Sequence, residues 1–537
     1  MIQTNLQSPG FVASTIIDAK YQDDPLALYK SLTENKTNTL LLESAEISDK
    51  RALKSLLLVD AAVKVECSGF NVTVSAKSLN GQSVLELLAD RFSQDKYQSS
   101  VTINKQSEQF LSLTFIENNE QQDELSRLLT VNPMQVLREL QTIESIEQHP
   151  FAVFIGGAFA FDLITISEQL PEVDESTNTC PDYVYYLAET LIIIDHQKQN
   201  TEIIGNVFSG KEQAQSQNQI LKRIEQLKDY CEQPLLSNDI KLDVAMNSAD
   251  VKVNITDSEF CQQVDDLKEH IRAGDIFQVV PSRTFSLPCT DPISAYQALK
   301  LTNPSPYMFF LKDDDFCLFG ASPESALKFS SDNRQVELYP IAGTRPRGFN
   351  LAGEYSPDLD GRIELELRND EKEKAEHLML VDLARNDIAR VSEGGTRYVA
   401  ELLKVDRYSQ VMHLVSRVCG TLSQDLDALH AYQACMNMGT LSGAPKVKAT
   451  QLIRQIEGSR RGSYGGAVGY LNGEGDMDTC IVIRSAFVKS SIAYVQAGAG
   501  VVYDSDPQSE ADETRQKAQA VIKAVQIANA AENLLTK

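Results

Sequence analysis

The sequence predicts a fold of mixed sheet and helix, β-rich in its first half. Three observations carry that reading. Apolar runs of strand length such as KSLLLVDAAVKVE, GFNVTVSA, FLSLTFI and ETLIIIDH alternate with polar loops through residues 1–250. Apolar positions at helical spacing mark long helices in the second half, among them EKEKAEHLMLVDLARNDIARV. A length of 537 residues with 42% hydrophobic content is enough for two or more domains, each with a core of its own.

Taken in order, TNTLLLESAEIS (37–48) passes abruptly from three leucines to Glu43 and Ser44. Such a strand either delivers two polar groups to a small ligand or runs out into a surface turn. HPFAVFIGGAFAFDLI carries a Gly156-Gly157 break that suggests a bend. This half holds no recognisable reaction centre and reads as a binding or supporting half. From Ser209 to Asp257 a Gln- and Lys-rich helix precedes a polar stretch, which places a boundary between residues 1–250 and 251–537. SEFCQQVDDLKEHIRAG then puts Phe260, Val264, Leu267 and Ile271 on one helix face and stops at Gly274. DIFQVVP reads as a buried strand with Gln278 inside it, satisfied by backbone or orienting a reactant.

Between residues 303 and 350, Glu324 follows Ser322-Pro323 between two strand-like runs. A carboxyl at such a turn is either a general acid of raised pKa or an acceptor of backbone hydrogen bonds. PIAGTRPRG predicts an exposed bend presenting the Thr344 hydroxyl, with Arg345 and Arg347 serving an anion or solubilising the loop. His413 sits among apolar residues in strand-like alternation, as a packed core residue or a base. NMGTLSGAPKVK supplies a Gly/Ser/Thr loop into a helix opened by Pro445, although it departs from the spacing of an ATP P-loop. DTCIVIRSAFV reads as a strand with Cys480, Val482 and Arg484 on one face, so Arg484 calls for an internal carboxylate or an anionic substrate.

The last stretch, QAGAGVVYDSDPQSEADETRQKAQAVIKAV (496–525), draws these together. Gly498 and Gly500 bracket Ala499, a spacing that lets backbone amides approach an anion. Glu510, Glu513 and Lys517 then share a helix face with Ala520, Val521 and Ala524. Glu373 and Glu376 fall likewise on the arc of Leu380, Leu383 and Ala384. Carboxylates aligned with an apolar stripe sit at the edge of a core, where they need a cation. Two helices each offering Glu-x-x-Glu suit magnesium, a hard ion that takes oxygen ligands.

Composition removes several classes. A net charge of −25 disfavours nucleic acid and anionic membranes, and an anionic substrate must be held by local cations, with Arg345, Arg347, Lys446, Arg484 and Lys517 the candidates. No apolar run approaches the ~20 residues that span a bilayer, and Met1–Gly10 lacks the order of a signal peptide. Nine scattered cysteines without C-x-x-C spacing point to reduced thiols in a cytoplasm rather than zinc or disulfides.

These segments together resemble the chorismate-utilising enzymes, in particular the large subunits (component I) of anthranilate synthase. The resemblance spans roughly residues 15–530 and is strongest from GDIFQVVPSR to SEADETRQKA, with several motifs in register. It implies an α+β fold of the anthranilate synthase type, with β-sheets packed in a sandwich, helices outside and the active site in a cleft of the second half. It implies that Glu376 and Glu513, with Glu373 and Glu510, hold magnesium. Tyr464, Arg484 and the amides of Gly498, Ala499 and Gly500 would take chorismate's carboxylates with Lys517 nearby. Gly343 and Thr344 would contact the ring and Thr440 the enolpyruvyl group. Glu324 would be the general acid as ammonia attacks carbon 2, and His413 would assist proton removal as pyruvate leaves.

Two positions separate relatives. Aminodeoxychorismate synthases typically carry a lysine where this chain has Ala342, and isochorismate and salicylate synthases one where it has Gln278. Both choices favour anthranilate. LLES with Pro306-Tyr307-Met308 resembles the family's feedback motif, which implies an L-tryptophan inhibitor site from Glu43, Ser44, Asn303, Pro306, Tyr307, Met308, Phe309 and Cys480. The absence of tryptophan from the chain suits such a role. No G-x-C-x-G-type nucleophile is present, so glutamine-dependent activity requires a separate glutamine amidotransferase subunit (component II), expected in a heterotetramer. The rival expectations are an enzyme that stops at 2-amino-2-deoxyisochorismate and a non-catalytic tryptophan-binding subunit.

Overall fold

Antiparallel pairing organises the chain. In the computed structural model, which describes residues 10–44, 53–117, 123–234, 251–350, 353–408 and 411–535, Lys54–Ser68 pairs with Tyr183–Asp195 along almost its whole length. Both strands are rich in β-branched and aromatic residues, which fit a pleated surface covered on both faces. Asn71–Ala76, Phe110–Phe115 and Asn200–Phe208 extend the sheet. All four apolar runs singled out above are strands.

The sheet continues across the middle of the sequence. Thr39–Glu43 pairs with Tyr307–Lys312, setting Glu43 opposite Met308, and Phe154–Phe159 pairs with Ala467–Asn472. The boundary expected at residue 250, and the polar stretch before it, lie in 235–250, outside the described residues, as do positions 45–48 beyond Ser44. The result is a mixed α+β fold around one large, mainly antiparallel sheet, which agrees with the expected class.

Phe154–Phe159 runs straight through Gly156-Gly157, so the expected bend does not occur. The glycines serve close packing instead, since a Cβ on Gly157 would lie 2.1 Å from the Val184 carbonyl oxygen and one on Gly156 2.5 Å from Leu40 Cδ2.

Helices pack on the sheet. Asp257–Ala273 begins with a capping box, Thr256 with Glu259, buries Phe260, Val264 and Leu267, and ends at Gly274 in the left-handed conformation. Glu371–Ala389 starts at Asp370, whose side chain accepts from the Lys372 and Glu373 amides. Pro507–Leu535 starts beside Asp506, whose Oδ1 accepts from the Ser509 amide at 2.9 Å. Arg283, fully buried, ties that helix to the sheet by donating to Thr514 Oγ1 and the Ala511 carbonyl, both at 2.8 Å, the residues that directly follow Glu513 and Glu510. Among the described residues no helix is long and apolar enough to cross a membrane.

Candidate active site

The site grows from seven elements of the second half: the turn after Cys317–Ser322, strands Ile341–Pro346 and Val411–Thr421, the loop 436–445, the end of strand Ile492–Gly498, and the two acidic helices. Ile341–Pro346 is a strand rather than the exposed bend the sequence suggested. It pairs with Val411–Thr421, and across that ladder Thr344 faces His413. Thr344 Oγ1 and His413 Nδ1 are 2.9 Å apart. The left-handed Gly343 between Ala342 and Thr344 lets the strand bulge, and a Cβ there would sit 3.1 Å from Glu373 Oε2.

Glu324 is buried at the turn. It accepts a 3.0 Å hydrogen bond from Thr440 Oγ1 and has no ion-pair partner among the described residues. Burial pushes its carboxyl up to about 8, against the lowering pull of hydrogen bonds from Thr440 and the Ile341 amide and of more distant Lys517 and Arg484. His413 moves the other way: burial, helped by the Arg484 charge, brings it down to about 4. Two ionisable groups of one site are thereby held neutral at pH 7, a carboxylic acid with its proton and an imidazole without one.

Five cations were candidates for an anion, and the structure separates them. Arg345 donates to Glu373 and Asp370, Arg347 to Asp360, Lys446 to Asp387, and Lys517 pairs with Glu513 at 2.6 Å. Arg484 alone of the five makes no side-chain hydrogen bond or ion pair among the described residues. It does not lie on a continuous strand face with Cys480 and Val482, as the alternation suggested. Strand Met477–Ile481 ends before it, and Arg484 takes a left-handed φ of 49° in the break before Ser485–Lys489. Burial lowers its pKa, with Tyr464, Glu513 and Glu324 opposing from a distance. A desolvated guanidinium without a carboxylate is a receptor for an anion.

Beside it stands Tyr464, buried and pushed up to about 12, whose hydroxyl takes the Gly498 amide. The glycine turn works by close approach more than by backbone conformation, since neither glycine is left-handed. A Cβ on Gly498 would lie 2.7 Å from the Pro281 oxygen and 3.1 Å from the Tyr464 hydroxyl, and one on Gly500 2.8 Å from Gln278 Nε2. The three amides are not equivalent. Gly498 serves Tyr464, Ala499 donates to Pro281 at 3.1 Å, and Gly500 donates to none of the described residues.

Around this turn, no motif or spacing in the chain points to the part played by Arg461. Fully buried, it donates to the Leu441 and Val280 carbonyls at 2.8 and 2.6 Å and to Glu457, and its guanidinium lies 5.6 Å from the centre of the Tyr464 ring. Glu457 in turn accepts from both the amide and hydroxyl of Ser282, opposite Gly498 in the sheet. One buried ion pair thus fixes the Thr440 loop, the Gln278 strand, the glycine turn and Tyr464 relative to one another.

The four carboxylates flank this space. Glu376 is pushed up to about 6, by burial first and then by Glu373 and Glu513, and burial and Glu513 raise Glu510. Gln278 was expected to be satisfied by backbone. Its Nε2 instead donates to Glu376 Oε1 at 3.0 Å, and its buried Oε1 has no partner. Among the described residues no three carboxylate, imidazole or thiol groups are gathered closely enough to hold a metal. The donor chemistry nevertheless fits a hard divalent cation, because mutually repelling, partly buried carboxylates from two helices are what such a charge would relieve.

The eight residues expected for tryptophan meet at the Thr39–Glu43/Tyr307–Lys312 ladder, but on both of its faces. Glu43, opposite Met308, accepts from Tyr296 at 2.7 Å and pairs with Lys300 at 2.5 Å, on the face where Met308 packs with Phe310. Tyr307 and Phe309 point to the other face with Cys480, as the two-residue period requires. Ser44 Oγ donates to the Pro306 carbonyl at 2.9 Å, and Asn303 caps the helix Pro292–Thr302.

The chain as a whole is similar to known proteins. The chorismate binding enzyme family matches residues 93–523. Anthranilate synthase component 1 of Vibrio cholerae is 56% identical over 94% of this chain and 94% of its own, and that of Escherichia coli is 52% identical over 96% and 97%. The crystal structure of anthranilate synthase component I from Streptococcus pneumoniae superposes with a TM-score of 0.66 at 30% identity, covering 89% of this chain and 94% of that one. The chain therefore belongs to the chorismate-binding enzymes, in the branch formed by component 1 of anthranilate synthase.

Proposed function

We propose that the chain converts chorismate and ammonia to anthranilate, pyruvate and water. The observation that carries this reading is the pair of opposite shifts at Glu324 and His413. At neutral pH Glu324 keeps the proton that a leaving hydroxyl needs, and His413 is free to accept one. In the first step ammonia attacks carbon 2 of the ring, the double bonds shift, and the bond from carbon 4 to its hydroxyl breaks as Glu324 protonates that oxygen to water. In the second, His413 takes the proton from carbon 2 through Nε2, its Nδ1 being held by Thr344, and pyruvate is lost as the ring becomes aromatic. Arg484, Tyr464 and the Gly500 amide bind the substrate carboxylates, Gly343 and Thr344 lie along the ring, and Thr440 contacts the enolpyruvyl group. Preorganisation of these groups by the Arg461–Glu457 pair lets positioning account for much of the rate.

Glu373, Glu376, Glu510 and Glu513 would hold magnesium, whose charge would neutralise them and draw in a substrate carboxylate. Feedback by tryptophan would act through the ladder that joins Glu43 and Ser44 to Pro306–Met308. The component 1 designation of the relatives supports a partner, for which we propose a glutamine amidotransferase that supplies ammonia in a cytoplasmic heterotetramer of two chains of each kind.

The test is the purified chain with chorismate, ammonium and magnesium, following anthranilate fluorescence and pyruvate together, with and without tryptophan. Equal yields of both products that fall on adding tryptophan support the whole reading. An aminated product without pyruvate assigns the chain to 2-amino-2-deoxyisochorismate formation, and untouched chorismate overturns the enzymatic reading.

A further inference from the structure

All four carboxylates proposed for magnesium already have internal donors, Ser505 serving Glu510. Gln278 holds Glu376 and Lys517 holds Glu513, each through one bond. Glu373 is held differently. Arg345 reaches across from strand Ile341–Pro346 and bridges two groups at the start of the Glu371–Ala389 helix, Glu373 Oε1 from Nη1 and Asp370 Oδ2 from Nη2, both at 2.8 Å. Asp370 is also that helix's cap, so the guanidinium grips the cap and the first-turn glutamate together. The second oxygen of Glu373 lies against the Gly343 backbone. A divalent cation bound by Glu373 would meet the positive charge of Arg345 on the same carboxylate, so the two cations compete for it.

We propose that Arg345 is the internal competitor of the metal, a positioning residue that engages Glu373 until a divalent cation displaces it. This rests on the proposed metal role of those carboxylates and adds which residue sets the affinity. Arg345 also donates to the carbonyl oxygen of Thr344 at 3.0 Å, and Thr344 holds His413. Release of Glu373 is thereby linked through one residue to the strand that contacts the ring and orients the base, so that metal and substrate favour each other's binding.

The test measures Mn2+ binding to the full chain without chorismate, by electron paramagnetic resonance of free Mn2+ and by calorimetry. The Arg345–Glu373 pair is partly exposed on both sides, and exposed pairs contribute about 0.2–1 kcal/mol, so Arg345→Gln is expected to bind Mn2+ roughly two- to fivefold more tightly than the wild type. Arg345→Lys, a point charge that cannot bridge both carboxylates, should fall between them and serves if the glutamine variant fails to fold. Arg347→Gln, which removes a guanidinium committed to Asp360, should leave the affinity where it was. Unchanged or weaker Mn2+ binding by both folded Arg345 variants overturns the proposal while the metal reading stands. No Mn2+ binding by any of the chains, with or without chorismate, overturns the metal reading and this proposal with it.

Discussion

Thr440 donates a 3.0 Å hydrogen bond to Glu324, and no cation forms an ion pair with that carboxyl among the described residues. Two neutral donors, the Thr440 hydroxyl and the Ile341 amide, do not replace the lost hydration of a carboxylate, so burial decides its protonation. In the unfolded chain Glu324 ionises near the ordinary carboxylate value of 4.5, and in the folded chain near 8. Between those values unfolding releases a proton, so the folded state loses stability as pH rises through the window, with the loss complete above it. Glu324→Gln carries no such charge. Thermal denaturation at pH 5, 7 and 9 should show the variant gaining on the wild type as pH rises. A difference in Tm that stays flat contradicts the shift.

Two arginines of the site, half-buried Arg484 and fully buried Arg461, should respond oppositely to removal. Arg484 has no internal anion, so Arg484→Met should leave thermal stability at or above that of the wild type while weakening chorismate binding roughly tenfold or more, the value of a charge-assisted hydrogen bond of about 1.5–3 kcal/mol. Arg461→Met leaves Glu457 buried and unpaired and should destabilise the fold by about 3–5 kcal/mol. Denaturant unfolding and substrate titration of the two variants check this.

The glycine turn predicts a second contrast. At Gly498 an added methyl meets backbone, the Pro281 oxygen, and Gly498→Ala should destabilise by about 1–3 kcal/mol. At Gly500 it meets the end of the Gln278 side chain, which can move at the expense of its bond to Glu376. Gly500→Ala should therefore unfold close to the wild type yet lose turnover. Equal stability losses at the two positions would refute the distinction.

If Ser44 joins the feedback site, Ser44→Ala removes its link to the Pro306 carbonyl, a bond of about 1 kcal/mol, and the tryptophan concentration that halves activity should rise roughly fivefold. An unchanged inhibition curve would remove Ser44 from that site.

Much of this was legible in the residues. Strands such as Tyr183–Asp195 announce themselves by unbroken β-branched and aromatic runs, and the acidic pairs by their alignment with Leu380, Leu383 and Val521. What was not legible is which charge meets which. Arg345, Arg347, Lys446 and Arg484 look alike as cations in loops and strands, and only the fold shows that three are claimed by carboxylates and the fourth is left open. Asp387, Lys446's partner, lies 59 residues from it in the chain. Local pattern also misled where tertiary packing decides. Gly156-Gly157 looked like a bend and is a place where neighbouring side chains and backbone press close, and Arg484 looked like a strand residue and sits in a left-handed break.

The most direct measurement is the pH dependence of kcat/KM for anthranilate formation, at a fixed concentration of unprotonated ammonia, in the wild type and in Glu324→Gln. If Glu324 is the acid, the wild-type rate falls above about pH 8 with the loss of one proton, and the variant is slower by roughly 10²–10⁴ with that fall absent. A variant that keeps the wild-type rate and the same alkaline fall would show that the proton comes from elsewhere and contradict the account at its centre.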